Sequence, residues 1–423
     1  MSDTSLLDRP EASASAAPDS TFAAAAKQDA VFGSAAGVIA PYNLDHDFSE
    51  VEFDHFIRWA SENRASDLTI QSGDFITAQI QGIWRRVTTR SLEHNEVERI
   101  VAMKYGQTGP ARLDSGEPID FRLEVVIDRD NVLGYRANAT KCRVGDLATG
   151  ISITTRSIPG LPPKLETLGI EQQILDSLFP KYGLVLVIGT TGSGKSTLLA
   201  SANRERLEGL NPVKIITYED PVEYTFGQLG KGNMPMISQV SIGRGSDLKS
   251  FSLAGPNAMR RKADVIVMGE LRDLESVMAG FEMAETGHAV YATLHVETPA
   301  QAVDRIVSFF PVDGQPAAAN KLRAALRLII AQKLTPNLRG TRSAFRSYLV
   351  FDREVRAALA AEPFHKWEAM LAAITKQRGG TFEDSAYRAF REKLISFEAF
   401  MEVSSMTKQE ATHFIQEREA HGA

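Results

Sequence analysis

Leu184-Val-Leu-Val-Ile188 runs directly into Gly189-Thr-Thr-Gly-Ser-Gly-Lys-Ser196, and Thr197-Leu-Leu-Ala-Ser-Ala202 follows. The unbroken apolar run reads as a short strand buried on both faces. The glycine-rich segment matches G-x-x-x-x-G-K-[ST] in full, and the stretch after it has helix-forming composition. A strand before this pattern and a helix after it are the context in which the pattern is a phosphate loop. Glycines let backbone N–H groups converge on a phosphate without Cβ clashes, and the helix N-terminus adds a positive end. The lysine can bridge β- and γ-phosphates and the serine hydroxyl can ligate Mg²⁺. The candidate nucleotide-binding residues are therefore Gly189, Thr190, Thr191, Gly192, Ser193, Gly194, Lys195, Ser196 and Thr197, with Ser196 the candidate metal ligand.

Further strand-like runs follow at Lys214-Ile-Ile-Thr-Tyr218, Val265-Ile-Val-Met268 and Ala289-Val-Tyr-Ala-Thr-Leu294, separated by helical stretches. That rhythm predicts a parallel sheet with crossover helices. Open sheets of this kind place ligands beyond the carboxyl ends of their strands. Three acidic or imidazole groups fall there: Glu270 after Val265–Met268, the cluster Glu219, Asp220 and Glu223 after the strand ending at Tyr218, and His295 after Leu294. A carboxylate beside a phosphate loop can polarise water or help hold Mg²⁺ through water. Leu322, Ala325, Leu326, Ile329, Ile330 and Leu334 form an i, i+3, i+4 stripe, the pattern of a buried helix face. Ser347-Tyr-Leu-Val-Phe351 can close the sheet, and beyond it the chain reads as mostly helical.

Upstream, Val51, Phe53, Phe56, Ile57 and Ala60 have near-helical spacing. Strand-like runs then appear around Leu68, Ile76–Ile80, Phe121–Ile127, Tyr135–Thr140 and Gly150–Arg156. The predicted organisation is a flexible Ala/Ser-rich tail over 1–45, an α+β domain over 46–156, a Pro/Gly-rich linker over 157–163, an α/β domain over 164–345 and a helical region over 346–423.

The 423 residues carry 47 Lys and Arg against 53 Asp and Glu, a net charge of −6. Phosphate backbones need a basic face, so nucleic acid is not expected as a direct ligand. One cysteine, Cys142, excludes an intrachain disulfide and a cysteine-rich metal site. No apolar run reaches the ~18 residues of a membrane span, and the acidic N-terminus lacks the basic start of a secretory signal. The expectation is a cytoplasmic protein.

The four blocks, in this order, resemble the Walker A, Asp box, Walker B and His box of the secretion ATPase superfamily that serves type II secretion, type IV secretion and type IV pili. Ala65-Ser-Asp-Leu-Thr-Ile70 and Ile80-Gln-Gly-Ile-Trp-Arg-Arg-Val87 extend the resemblance, which covers about Phe56 to Phe400. It implies a RecA-like P-loop ATPase core preceded by a PAS-like α+β domain, a homohexamer with ATP at subunit interfaces, and Mg²⁺. It further implies that Glu270 activates water, that Glu223 with Glu219 behind it shares that environment, and that His295 meets the γ-phosphate region. Arg136, Arg143, Arg156, Arg260 and Arg272 are candidates to neutralise transition-state charge, including from a neighbouring subunit.

Residues 151–165, Arg260-Arg-Lys262 and Tyr348-Leu-Val-Phe-Asp-Arg-Glu-Val-Arg356 are similar to the DotB/TraJ-type ATPases of type IVB secretion and conjugation. The PilT-type pilus retraction branch has a signature with two arginines where this chain has Arg356 and Ala360. The resemblance implies an ATP-driven motor for a type IVB or conjugation-like apparatus, partnered by membrane-embedded machinery and recruited to the inner face of the cytoplasmic membrane. Pilus retraction, a DNA-translocating motor and a nucleotide-switched assembly scaffold remain the alternatives.

Overall fold

Apolar alternation in the N-terminal half and unbroken apolar runs in the C-terminal half produce two different sheets. The computed structural model describes residues 39–420, apart from 45, 81, 129–131, 145–146, 159, 210–212, 227–228, 230–235, 244–246 and 379. The chain divides into two units, Met1–Pro41 and Tyr42–Ala423, and the fold below is that of the second. The expectation for a tail falls largely outside the described residues. Tyr42 already pairs with the first sheet, its N–H bonding Val87 O at 2.8 Å, and Leu44 is buried.

In the N-terminal half, α1 (Glu50–Glu62) leads into β1 (Ala65–Gln71), β2 (Phe75–Ile80) and β3 (Ile83–Ser91). Then α2 (His94–Lys104) and α3 (Gly109–Asp114) precede β4 (Ile119–Val126), β5 (Val132–Val144) and β6 (Leu147–Ile158). The six strands are antiparallel in the order β3-β2-β1-β6-β5-β4. The strict alternation of burial along β2 is the signature of a sheet with one packed face. Helix α1 starts at Ser49, whose hydroxyl accepts from Glu52 N–H, and buries Phe53, Phe56, Ile57 and Ala60. Val51, included in the expected apolar face, points outward. Strand β3 had no clear signal, because Ile83 and Trp84 at its start are exposed and interrupt the alternation.

The C-terminal half contains α4 (Gln172–Ser177), β7 (Gly183–Ile188), α5 (Lys195–Glu208), β8 (Lys214–Glu219), β9 (Met236–Ser241), α6 (Ala254–Arg260) and β10 (Val265–Met268). It continues through α7 (Leu274–Glu285), β11 (Ala289–Leu294), α8 (Pro299–Ser308), α9 (Gln315–Ala325), β12 (Leu326–Pro336) and β13 (Arg342–Val350). The end is helical: α10 (Arg353–Ala361), α11 (Trp367–Gln377), α12 (Phe382–Arg391), α13 (Phe397–Ser404) and α14 (Lys408–Ala420). The sheet order is β13-β12-β7-β11-β10-β8-β9, parallel throughout except for β13, which runs antiparallel to β12. Along β7, Leu184, Leu186 and Ile188 join the core on one face with Phe281 and Ile306. Val185 and Val187 join the other with Ile174 and Leu198. Each such side chain stabilises the fold by about 1.5–3 kcal/mol.

The stripe from Leu322 to Leu334 is not one helix. Helix α9 ends at Ala325, Leu326 turns extended, and β12 begins there. The residues are core as expected, Leu334 only partly, but a fully buried strand lacks period-2 alternation and mimics a helix face over so short a window. The β-branched pair Ile329 and Ile330 fits the slot between β7 and β13, where both edges of β12 find partners.

One buried acid fastens the N-terminal half. Glu96 on α2 accepts from Arg90 Nη2 at 2.7 Å, from Phe48 N–H at 2.8 Å and from Glu93 N–H at 2.8 Å. Burial alone would raise its pKa, but the Arg90 and backbone hydrogen bonds outweigh it and hold the carboxyl at about 2, against an ordinary 4.5. Because the folded pKa is depressed, this stabilisation is complete above pH 4.5 and is lost as pH falls through about 2. Glu96→Gln should lower unfolding free energy at neutral pH by about 3 kcal/mol and flatten the acid limb of a pH–stability curve measured by urea denaturation. A variant as stable as wild type would show that the network is dispensable.

Candidate nucleotide site

Strand β7 delivers Gly189 at its carboxyl end, and the loop 189–194 turns back over the sheet before α5 starts at Lys195. Two glycines are sterically required. Gly189 has φ +144°, and a Cβ there would sit 2.4 Å from Gln332 O. Gly194 has φ +85°, and its Cβ would meet Gln332 Nε2 at 2.8 Å. Lys195 Nζ donates to Gly189 O and Thr190 O, each at 2.9 Å, folding the side chain along its own loop. Burial lowers the Lys195 pKa, opposed by the charges of Glu270 and Glu223 facing it.

The facing wall comes from the ends of β8, β10 and β11. Gly269 N–H bonds Tyr218 O at 2.7 Å, and a Cβ on Gly269 would lie 3.1 Å from Glu219 Cα, so β10 brings Glu270 tightly against the 219–223 turn. His295 Nε2 lies 3.7 Å from Glu270 Oε1. Glu219 is half-buried at the cleft wall: it accepts from Thr217 Oγ1 at 2.6 Å and from Glu223 N–H at 3.4 Å, and burial pushes its carboxyl pKa up. It braces the turn that carries Glu223. Tyr224 then ties this turn to α5, its hydroxyl 2.7 Å from Thr197 Oγ1. His288 lies outside the cleft, bonded to Thr286 and Met283 O.

Gly194, Lys195, Thr197, Glu219, Glu223, Gly269, Glu270 and His295 line a cleft of 530 Å³ that also takes in Thr191, Gly192, Ser196, Arg136 and Arg272; of the candidate loop residues, Gly189, Thr190 and Ser193 do not line it. Of the candidate arginines, Arg136 reaches Glu223 at 3.4 Å and Arg272 reaches Asp220 at 3.1 Å. Arg156 is directly opposite Arg136 across β5 and β6 but bonds Asp67 at 2.7 Å. Arg143 and Arg260 are exposed, and neither they nor Arg156 lines the cleft of their own chain. Arg342, Phe251 and Leu334 also line it, although the sequence marks Leu334 only as an apolar stripe residue and the other two not at all. Arg342 opens β13, far from any motif, and nothing in its local sequence marks it. Arg122, opposite Arg136 on the other side and paired with Glu124 at 2.7 Å, completes a cross-strand row of three arginines but does not line the cleft.

The donors suit Mg²⁺. Ser196 Oγ faces the cleft without a hydrogen-bond partner among the described residues, beside the carboxylates of Glu223 and Glu270. Among the described residues no three His, Cys, Asp or Glu side chains converge as a metal cage. An ion here would keep water and phosphate ligands, the habit of Mg²⁺.

A parallel sheet with a phosphate loop at its centre and carboxylates across the cleft defines a P-loop nucleotide hydrolase. The family described as Type II/IV secretion system protein matches residues 44–381, and the chain belongs to it: a secretion-system ATPase related to DotB and PilT. The X-ray structure of the Legionella pneumophila ATPase DotB superposes with a TM-score of 0.77 at 35% identity, covering 86% of this chain and 97% of that one. The pilus retraction motor PilT with bound ADP superposes at 0.71 and 29% identity, covering 84% and 98%. The type IV pilus retraction ATPase PilT of Pseudomonas aeruginosa is 30% identical over 334 residues, 78% of this chain and 90% of the relative. Among the described residues no helix is long and apolar enough to cross a membrane.

Gly194→Ala should keep the far-UV circular dichroism of wild type yet raise the Kd for a fluorescent ATP analogue at least tenfold. The alanine must hold a left-handed conformation costing about 1–2 kcal/mol and push against Gln332. Wild-type affinity in this variant would show that the loop tolerates displacement.

Proposed function

We propose that this chain is a hexameric motor that hydrolyses ATP to energise a type IVB or conjugation-like secretion apparatus. The observation that carries the catalytic part is the single cleft in which Lys195 and Ser196 face Glu270, Glu223 and His295. In this reading the loop N–H groups and Lys195 hold the β- and γ-phosphates, Lys195 swinging from the Gly189 and Thr190 carbonyls onto phosphate oxygen. Ser196, with Glu223 or Glu270 through water, would hold Mg²⁺, which supplies charge neutralisation on the phosphates. Glu270 orients the attacking water and accepts its proton at a carboxylate oxygen, and His295 beside it meets the γ-phosphate region. Arg136 and Arg272 add positive charge from within the chain; Arg143, Arg156 and Arg260 would act across a subunit boundary.

The domain division proposed is a PAS-like regulatory domain over 46–156, a linker over 157–163, a RecA-like ATPase domain over 164–345 and a helical region over 346–423. Movement of the first domain about the linker would transmit the ATP cycle to membrane-embedded partners at the cytoplasmic face of the membrane. The likeness to DotB and the loss of an arginine at Ala360 support the type IVB or conjugation branch. The match to PilT over 90% of its length favours pilus retraction as the second reading.

Glu270→Gln should lower kcat by on the order of 10²–10³-fold while nucleotide Kd stays within about twofold, and light scattering with ATP and Mg²⁺ should give six times the chain mass. Undiminished kcat would remove Glu270 from the water-activating role; DNA-stimulated turnover in the wild type would select a DNA motor instead. In the native cell, replacing the gene with the Glu270→Gln form should stop plasmid or effector transfer and leave twitching motility. The reverse pattern would select retraction.

A further inference from the structure

Arg346 on β13 is 1% exposed, although a guanidinium is among the costliest groups to bury. It is not in the cleft. Its acceptors are Gln332 Oε1 at 2.9 Å, Leu168 O and Gly169 O at 3.0 Å each, and Glu171 Oε2 at 3.4 Å. Gln332 and Arg346 are direct partners across β12 and β13, so their side chains share a face.

That pairing settles the orientation of the Gln332 amide. Arg346 Nε–H can only donate, so the amide oxygen faces it and the amide nitrogen faces the other way. There Gln332 Nε2 donates to Ser193 O at 2.8 Å, in the middle of the phosphate loop. Ser193 C=O belongs to the same planar trans peptide as Gly194 N–H, and the two point in opposite directions. Holding the carbonyl against Gln332 therefore turns the Gly194 N–H toward the cleft that Gly194 lines. The Gln332 main-chain oxygen backs Gly189 on the same side, so one β12 residue braces both ends of the loop. Arg346 is itself held by Glu171, whose other oxygen accepts from Arg388 Nη2 at 3.3 Å and Ser385 Oγ at 3.4 Å on α12.

We propose that Gln332, clamped by Arg346, is a positioning residue that presets the phosphate loop for nucleotide. The loop is thereby tied to the 168–171 connector and to α12, elements that touch no part of the cleft. Misdirected loop amides bind phosphate poorly, and a displacement of about 1 Å is enough to matter. This inference rests on the loop being the nucleotide site.

Two substitutions separate positioning from simple filling of a buried space. Gln332→Leu removes both bonds. Gln332→Glu keeps an acceptor for Arg346 but sets its second carboxylate oxygen against the Ser193 carbonyl, so the loop is repelled while Arg346 stays satisfied. Titrated with a fluorescent ATP analogue and Mg²⁺ at pH 8, both variants should bind on the order of tenfold more weakly than wild type. The KM for ATP should rise more than kcat falls, and Gln332→Glu should keep the thermal midpoint of wild type. Wild-type affinity in folded Gln332→Glu overturns the proposal, because it reduces Gln332 to a partner for Arg346. Lys195→Ala is measured beside them: if it also binds normally, the loop is not the nucleotide site and the underlying reading fails instead.

Discussion

Everything at the cleft depends on β7 being locked in place along its whole length. It pairs in parallel with β11 on one side and β12 on the other, and its side chains are buried on both faces. A strand so held has one exit point, so the loop that follows starts from a fixed position and direction. The loop has no apolar core of its own. Its shape is imposed by the backbone and side chain of β12 on one side and by the start of α5 on the other. Glycine is required where β12 comes close.

The opposite wall follows the same logic. Strands β8, β10 and β11 are parallel, with Tyr218 beside Met268 and Met268 beside Ala292, so Glu219, Glu270 and His295 leave neighbouring strand ends, each one residue further along than the last. Glu219 braces its turn by accepting from Glu223 N–H, while Glu223 and Glu270 stand half-exposed on the cleft. The antiparallel sheet contributes differently. Its arginines stand in a cross-strand row, where like charges repel, and Asp67 and Glu223 offset that repulsion. The Arg136–Glu223 contact brings the first sheet to the edge of the cleft.

Much of this was legible beforehand because the signals were local. The loop, the apolar runs of β7, β8, β10 and β11 and the carboxylates after them are each set by residues within a few positions. Strand β12 was misread because burial on both faces erases the alternation that distinguishes a strand from a helix. Strand β3 was passed over because exposed Ile83 and Trp84 break its pattern. Arg342 and Gln332 carry no local mark, since their importance lies in what folding places beside them.

The sequence by itself determined the chemistry of the site: a phosphate loop needs glycines, a lysine and a serine in fixed order, and that order is a property of the chain. Only the tertiary structure decided which charges accompany it. Arg136 and Arg272 reach the cleft while Arg143 and Arg260 do not, and Gln332 lies 139 residues from the Ser193 carbonyl it holds. Such pairings arise from strand order and register, which depend on how distant segments pack and not on any segment alone.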